Sequence, residues 1–173
     1  ASDITRTYPV NGRFSPPQRE LYELVLAAQA AAIAKVVPGN RWIEPHEAAV
    51  KTLTRGLVDL GLLAGGRKAV PKLIREEAYK PYFMHRTGHW LGMDVHDVGD
   101  YKRGGDWRRF EPGMALTVEP GLYVAPTRQE VPKRFRGIGI RIEDDLVVTA
   151  EGHEILSRDA PKSVAEIEAW MGG

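Results

Sequence analysis

The order of the sequence patterns along the chain constrains the fold more than any other feature. Residues 4–10 are rich in β-branched and aromatic side chains, which predicts a strand. Apolar side chains then recur at helical spacing up to about residue 80. From residue 81 onward, short alternating segments and glycine-rich turns follow, without the alternation of strands and helices seen in βαβ units. This order predicts an α+β fold, with a mainly antiparallel sheet and helices packed on one face.

Four helices are expected. The first should begin at residues 15–18, Ser-Pro-Pro-Gln, because serine can cap a helix, proline suits its first position and glutamine completes a capping box. Its apolar pattern runs until Pro38-Gly39. The others are expected at residues 46–60, 70–79 and 164–170.

Two segments with a period of two, residues 114–119 and 138–143, predict strands. If the three isoleucines of the second segment face the core, Arg141 and Glu143 face the opposite side. Glu119 ends the first segment, and Asp3 lies on the strand expected near the start. These carboxylates could converge on one face of a curved sheet. The alternative is that they lie exposed on its solvated face.

Three histidines, His85, His89 and His96, fall close together in the sequence with aspartates beside them. Nitrogen and oxygen donors without sulfur are typical of hydrolytic divalent-metal sites. The spacing of His85 and His89 would also suit a helical zinc motif, but the intervening glycine favours a strand that ends near His85, with His89 in the following turn. His46 and His153 are interpreted as structural residues.

The composition sets further bounds. A chain of 173 residues is long enough for one domain with its own core. The net charge of +1 gives no reason to expect a nucleic acid or an anionic membrane as partner. The absence of cysteine excludes disulfides and thiolate metal sites and agrees with a cytoplasmic location. No apolar run is long enough for a membrane span.

Several motifs, in this order, resemble the pita-bread metallopeptidases, and among them the bacterial Xaa-Pro aminopeptidases. They are Ser2-Asp-Ile-Thr-Arg-Thr, His89-Trp-Leu-Gly-Met-Asp-Val-His-Asp, Thr117-Val-Glu-Pro-Gly-Leu-Tyr and Arg136-Gly-Ile-Gly-Ile-Arg-Ile-Glu-Asp-Asp. The resemblance implies a partial pita-bread fold, whose curved sheet carries helices on its outer face. It also implies two divalent ions, usually manganese. Among the residues present, Asp3, His89, Glu119 and Glu143 would hold these ions.

The same resemblance implies catalytic roles. Glu119 would also accept a proton from the attacking water, which is activated between the two metal ions. His85 and His96 would face the substrate and stabilise the tetrahedral intermediate. Arg141 would hold the carboxylates in place. The reaction would remove the N-terminal residue from a peptide with proline in second position.

The family has a further metal-binding aspartate upstream of the position of Asp3, and this chain starts two residues before Asp3. Residues 1–173 are therefore expected to be the carboxyl-terminal part of a catalytic domain, whose first half and preceding domain are absent. A homo-oligomer is expected for the complete enzyme. Two alternatives stay open: a prolidase, which cleaves only dipeptides, and a metal-free pita-bread module that binds peptides.

Overall fold

The computed structural model describes residues 1–172. Its helices are α1 (Pro16–Ile33), α2 (Ile43–Asp59), α3 (Val70–Arg75) and α4 (Val164–Met171). Its strands are β1 (Lys102–Arg103), β2 (Asp106–Trp107), β3 (Ala115–Val118), β4 (Gly121–Tyr123), β5 (Gly139–Arg141), β6 (Asp144–Val148) and β7 (His153–Ile155). The helices precede and follow a region of antiparallel strands, which confirms the predicted α+β class.

The first helix begins where the sequence predicted. Pro16 is its first residue, and the side chain of Gln18 accepts a hydrogen bond from the backbone N–H of Ser15 at 2.8 Å. Its end is earlier than expected, because tight turns follow Ile33 before Pro38 is reached. The second helix begins three residues earlier than predicted, at Ile43. The third ends at Arg75, and Glu77 then adopts a positive φ of 53°.

Helices α1 and α2 pack directly against each other. A Cβ atom at Gly56 would lie 2.2 Å from Leu24 Cδ1, so the absence of a side chain on α2 allows the two helices to approach closely. The apolar faces of both helices contribute to one core cluster together with α4, β4 and β5. A second cluster joins the C-terminal end of α1 to β3, β6 and Trp90.

Four strands, β3 to β6, form one long antiparallel ribbon with a break in its middle. Strand β7 pairs with β6, and β1 pairs with β2 as a separate hairpin. Strand β3 pairs with β6, and β4 pairs with β5. The register is the same on both sides of the break, from Val118 opposite Asp144 to Gly121 opposite Arg141. One face of this ribbon packs on the helices through alternating buried side chains, namely Leu116, Val118, Leu122, Ile140, Ile142 and Leu146. The alternate residues therefore face away from the helices.

Extended segments without regular strand pairing flank both sides of the ribbon. The strand predicted at residues 4–10 is wrong. Residues 3–7 lie beside residues 141–145, and the backbone N–H of Glu143 donates to Thr5 O at 3.0 Å, but residues 3–7 form no regular strand. At Arg141, the Thr7 hydroxyl takes the place of backbone partners: Thr7 Oγ1 donates to Arg141 O and accepts from Arg141 N–H. Side chains thus take the place of a regular ladder.

The strand expected near His85 is also wrong. Residues 87–91, rather than those before His85, lie antiparallel to β3: Glu119 N–H donates to Thr87 O at 2.7 Å, and Thr117 N–H donates to His89 O at 3.0 Å. Trp90 forms an isolated bridge with Leu116. His89 therefore lies within an extended segment, not in a turn after a strand.

Candidate metal centre

The sheet register alone brings two carboxylates together. Glu119 is one step beyond Val118 on one strand, and Glu143 is one step before Asp144 on its partner, so the two glutamates lie opposite each other at the break. Directly opposed side chains on one face have Cβ atoms about 5 Å apart, and like charges there repel. An arrangement of this kind is stable when a cation or a proton lies between the two groups.

His89 is placed beside this pair by the pairing of residues 87–91 with β3. Its Nε2 atom lies 3.6 Å from Glu119 Oε1 and 4.0 Å from Glu143 Oε1. Its Nδ1 atom lies 2.9 Å from Trp90 O, and because a carbonyl can only accept, Nδ1 carries the proton. The lone pair of Nε2 is therefore available to a metal ion, the usual state of a ligating histidine.

Asp3 completes the group from the other side of the ribbon. Its Oδ2 atom lies 3.3 Å from His89 Nε2 and 4.0 Å from His96 Nε2. Its backbone N–H donates to the carboxylate of Asp145, at 3.1 Å to Oδ2. Asp145 is on the same face as Glu143, two residues along the strand. A buried aspartate thus fixes the segment that carries Asp3.

Burial makes the charged form of the carboxylates costly. The pKa of Glu143 is raised to about 8: desolvation is the largest cause, the hydrogen bond from Thr5 opposes it, and the charges of Glu119 and Asp3 add to it. Desolvation also raises the pKa of Glu119, although Arg141 and His89 act in the opposite direction. Both raised pKa values belong to the metal-free carboxylates, and a nearby cation would lower them again.

The donor set fits a divalent ion. Five buried side-chain atoms of the described residues have no hydrogen-bond partner, and two of them, His89 Nε2 and Glu143 Oε1, lie 4.0 Å apart at this site. Two overlapping groups have ligand atoms within 4.8 Å of one another: Asp3 with His89 and His96, and His89 with Glu119 and Glu143. Imidazole and carboxylate donors without thiolates suit manganese and zinc. Buried polar atoms without partners are uncommon in folded proteins, and a metal ion would satisfy both.

A hydrogen-bonded chain lies next to the carboxylates. Arg141 Nε donates to the Tyr123 hydroxyl at 2.9 Å, and this hydroxyl lies 3.0 Å from His85 Nε2. His85 Nδ1 lies 2.7 Å from Arg86 O and must donate to it, so Nε2 accepts from Tyr123. Burial lowers the pKa of His85, which favours this neutral form. Arg141 Nη1 also lies 3.6 Å from Glu119 Oε2.

A cleft of about 790 Å³ opens in front of the site. Its walls include His85, His89, His96, Glu119 and Arg141. Aromatic and apolar side chains also line it, among them Trp42, Ile43 and Trp107. His96 is 78% exposed, and its ring stands edge-on to that of His89 at 4.2 Å between centroids. A cavity of this size is within the range of small-ligand sites.

The structure brings all seven predicted site residues to this one region. The alternative of exposed carboxylates on a solvated face is wrong, because Glu143 is 1% exposed and Asp3 and Glu119 are partly buried. His46 contacts Thr87 and lines the cleft, whereas His153 binds Val36 O, as a structural residue would.

Sequence reasoning assigned no role at the site to Thr5, Asp145 or Tyr123. Thr5 Oγ1 donates to Glu143 Oε2 at 2.5 Å. Asp145 accepts from the backbone N–H of Asp3, and the Tyr123 hydroxyl accepts from Arg141 Nε. For Thr5 the available signal was its position two residues after Asp3, on the same face of an extended segment.

Comparisons with known proteins agree with this geometry. The sequence model of metallopeptidase family M24 matches residues 1–150. The chain belongs to metallopeptidase family M24. It is 52% identical over 172 residues to an Xaa-Pro aminopeptidase of Haemophilus influenzae and 51% identical over 172 residues to one of Escherichia coli. These matches cover 99% of this chain but 39% and 38% of the relatives, so the chain spans about two fifths of their length.

Solved structures of the family share the fold. Aminopeptidase PepP of Pseudomonas aeruginosa superimposes with a TM-score of 0.96 at 62% identity, covering 99% of this chain and 38% of that one. A zinc-substituted E. coli aminopeptidase P in complex with product gives a TM-score of 0.93 at 49% identity, with the same coverage. The predicted pita-bread fold is therefore confirmed. Within residues 1–172, no helix combines the length and apolar character needed to cross a bilayer.

Proposed function

We propose that this chain forms the carboxyl-terminal, metal-binding part of an Xaa-Pro aminopeptidase, which removes the N-terminal residue from peptides with proline in second position. The observation that carries the proposal is the convergence of Asp3, His89, Glu119 and Glu143. Two of their own atoms, His89 Nε2 and Glu143 Oε1, are buried without a hydrogen-bond partner. The names of the similar proteins support the specificity for proline. We further propose manganese as the metal, two ions in the complete enzyme, and a cytoplasmic location.

Each residue has a part in this proposal. Asp3, His89, Glu119 and Glu143 would hold the metal. Divalent cations, when bound in such a site, polarise a carbonyl oxygen and lower the pKa of water. Glu119 would also accept a proton from the attacking water, because it lines the cleft and its two carboxylate oxygens lie 3.6 Å from His89 Nε2 and 3.6 Å from Arg141 Nη1, respectively.

The remaining residues would act on the substrate. His96 extends into the cleft, where a ring N–H can donate to the oxyanion that develops on the scissile carbonyl. His85 lines the same wall, but because its Nε2 accepts from Tyr123, it can donate there only as an imidazolium. Arg141, which itself donates to the Tyr123 hydroxyl, would not act on the substrate but would hold Glu119 in position through their ion pair.

Peptide hydrolysis by the full-length protein tests the proposal. With Mn²⁺ added, we expect release of the first residue from an Ala-Pro-Ala tripeptide and no release from Ala-Ala-Ala. Turnover of the Ala-Pro dipeptide alone would show a prolidase instead. No hydrolysis of either proline peptide, together with no bound metal by elemental analysis, would show a binding module.

A further inference from the structure

A buried ionic cluster lies directly behind the candidate metal centre. Asp144 has a fully buried side chain and follows Glu143 in the sequence. Its Oδ1 atom lies 2.7 Å from Arg6 Nη2 and accepts from Ser157 Oγ, and its Oδ2 atom lies 2.5 Å from Lys162 Nζ. Because the side chains of neighbouring strand residues point to opposite faces, this cluster is on the far side of the sheet from Glu143.

The guanidinium of Arg6 makes more contacts than its charge pair requires. Its Nη1 donates to Thr5 O at 3.0 Å and to Glu143 O at 2.5 Å. Its Nη2 donates to Ala160 O at 3.2 Å as well as to Asp144, and its Nε donates to Pro161 O at 3.0 Å. An arginine side chain has five N–H donors in a fixed planar arrangement, and here all five have acceptors.

Two of these acceptors, both bound by Nη1, belong to the backbone segments that carry two proposed metal-binding carboxylates. Glu143 O is the carbonyl of a metal-binding residue itself, and Thr5 O lies two residues after Asp3 and also accepts from Glu143 N–H. The Arg6 side chain is 4% exposed, so water does not compete for these bonds. Removal of a partner from a buried hydrogen-bonded charge leaves the other groups unsatisfied and free to shift.

We infer that Arg6 is a positioning residue for the metal centre: its guanidinium fixes the segment that carries Asp3 against the strand that carries Glu143. The inference rests on the proposed metal-binding function. Arg6 touches the side chain of neither metal ligand: its guanidinium donates to the backbone carbonyl of Glu143 and to that of Thr5, two residues after Asp3. Groups that orient metal ligands from outside typically change metal affinity by about 10- to 100-fold when they are replaced.

Lys162 provides a matched control, because it is the other cation paired with Asp144. Its Nζ contacts Asp144 and the side chain of Gln29 but, among the residues that the structure describes, no backbone carbonyl next to a proposed metal ligand. Replacement of either cation by methionine removes one positive charge from Asp144 and retains much of the apolar volume. The two variants therefore share the electrostatic loss and differ in the backbone contacts.

The test measures Mn²⁺ binding to the full-length protein by isothermal titration calorimetry, with the Tm of each metal-free variant recorded in parallel. We expect Arg6→Met to weaken Mn²⁺ binding about 10- to 100-fold, and Lys162→Met to bind Mn²⁺ nearly as well as the parent. Arg6→Lys should restore the ion pair but not the affinity, because an ammonium group has three donors and no planar fork.

Equal losses of affinity in Arg6→Met and Lys162→Met would overturn the inference, because charge pairing with Asp144 would then explain both. If Arg6→Met does not fold, Arg6→Lys decides the question, and parental affinity in a folded Arg6→Lys variant would also overturn it. A parent protein that binds no Mn²⁺ would contradict the proposed metal function itself. If the parent binds Mn²⁺ and the Arg6 variants keep its affinity, only the role of Arg6 is contradicted.

Discussion

At the scale of single residues, Glu119 carries the proposed chemistry. It is partly buried, its pKa is raised by burial, and it lies between His89 and Arg141. We expect Glu119→Gln to lower kcat for a proline tripeptide by about 100- to 10,000-fold, the range typical of a lost general base. The far-UV circular dichroism spectrum should not change.

The control for this variant is Glu151→Gln, at an exposed glutamate in a turn. Its kcat should equal that of the parent. Metal content is measured for both variants, because Glu119 is also a proposed ligand. Normal turnover of Glu119→Gln would show that another group accepts the proton.

Glu143 gives the metal-free protein a specific dependence on pH. Its pKa is about 8 in the folded chain and 4.5 in a solvated one, so between these values the folded chain retains a proton that the unfolded chain has lost. The unfolded state then binds fewer protons, and the contribution of this group to stability falls as pH rises across that window. Metal binding requires the ionised form, so affinity for Mn²⁺ should rise with pH until about 8 and then level off.

Urea unfolding and Mn²⁺ titrations of the metal-free protein across this pH range check both slopes. Glu143→Gln has no proton to lose at this position, so its stability should fall less steeply with pH than that of the parent. Parallel slopes for the two proteins would mean that a different group causes the dependence.

At the scale of elements, the site depends on the close contact between residues 87–91 and β3. Gly88 lies in this contact, and a Cβ atom added there would be 2.1 Å from Thr117 O. A backbone oxygen cannot move aside as a flexible side chain can, so Gly88→Ala must displace the segment that carries His89. We expect a loss of about 1–3 kcal/mol in the free energy of unfolding, the usual cost of overpacking, together with weaker metal binding.

Gly152→Ala is the matched control, since apart from its chain neighbours no described residue has an atom within 4 Å of the added Cβ. Its stability and its Mn²⁺ affinity should stay near those of the parent. Both variants are compared by urea unfolding and by calorimetric titration. A Gly88→Ala protein with the parent's metal affinity would show that the position of His89 does not depend on this contact.

At the scale of the whole molecule, the helical layer supports the sheet, and in residues 1–172 none of the four proposed metal ligands lies on a helix. Leu53 is fully buried in the cluster that joins α1, α2 and the ribbon. Leu53→Ala should lower the free energy of unfolding by about 2–5 kcal/mol, as large-to-small core substitutions do. The Mn²⁺ affinity of the folded molecules should not change, because the substitution leaves the ribbon register intact.

Lys51→Ala, at an exposed position of the same helix, serves as the control and should cost less than about 0.5 kcal/mol. Denaturant titrations give both stabilities. Loss of metal binding in Leu53→Ala under conditions where the protein is fully folded would contradict this separation of core and site.

Homo-oligomerisation of the complete enzyme stays a prediction, and light scattering on the full-length protein would test it.

Local patterns determined much of this protein. The residues around Ser15 indicated the start of α1, and the alternation around Ile140 and Ile142 placed Arg141 and Glu143 on one face. Both inferences needed only the geometry of a single backbone segment, which repeats every 3.6 residues in a helix and every two in a strand. The motifs carried the family resemblance for the same reason, since each lies within one segment.

Tertiary structure alone decided which segments became neighbours and in what register. The contact between Thr5 and Glu143 joins residues 138 positions apart, and no local pattern encodes it. Such pairings align Glu119 with Glu143 and place His89 beside β3. They also give the segment near Asp3 hydrogen bonds through threonine and aspartate side chains in place of backbone groups. Register is fixed by the burial of one whole face at once, so it is a property of the packed molecule rather than of any segment.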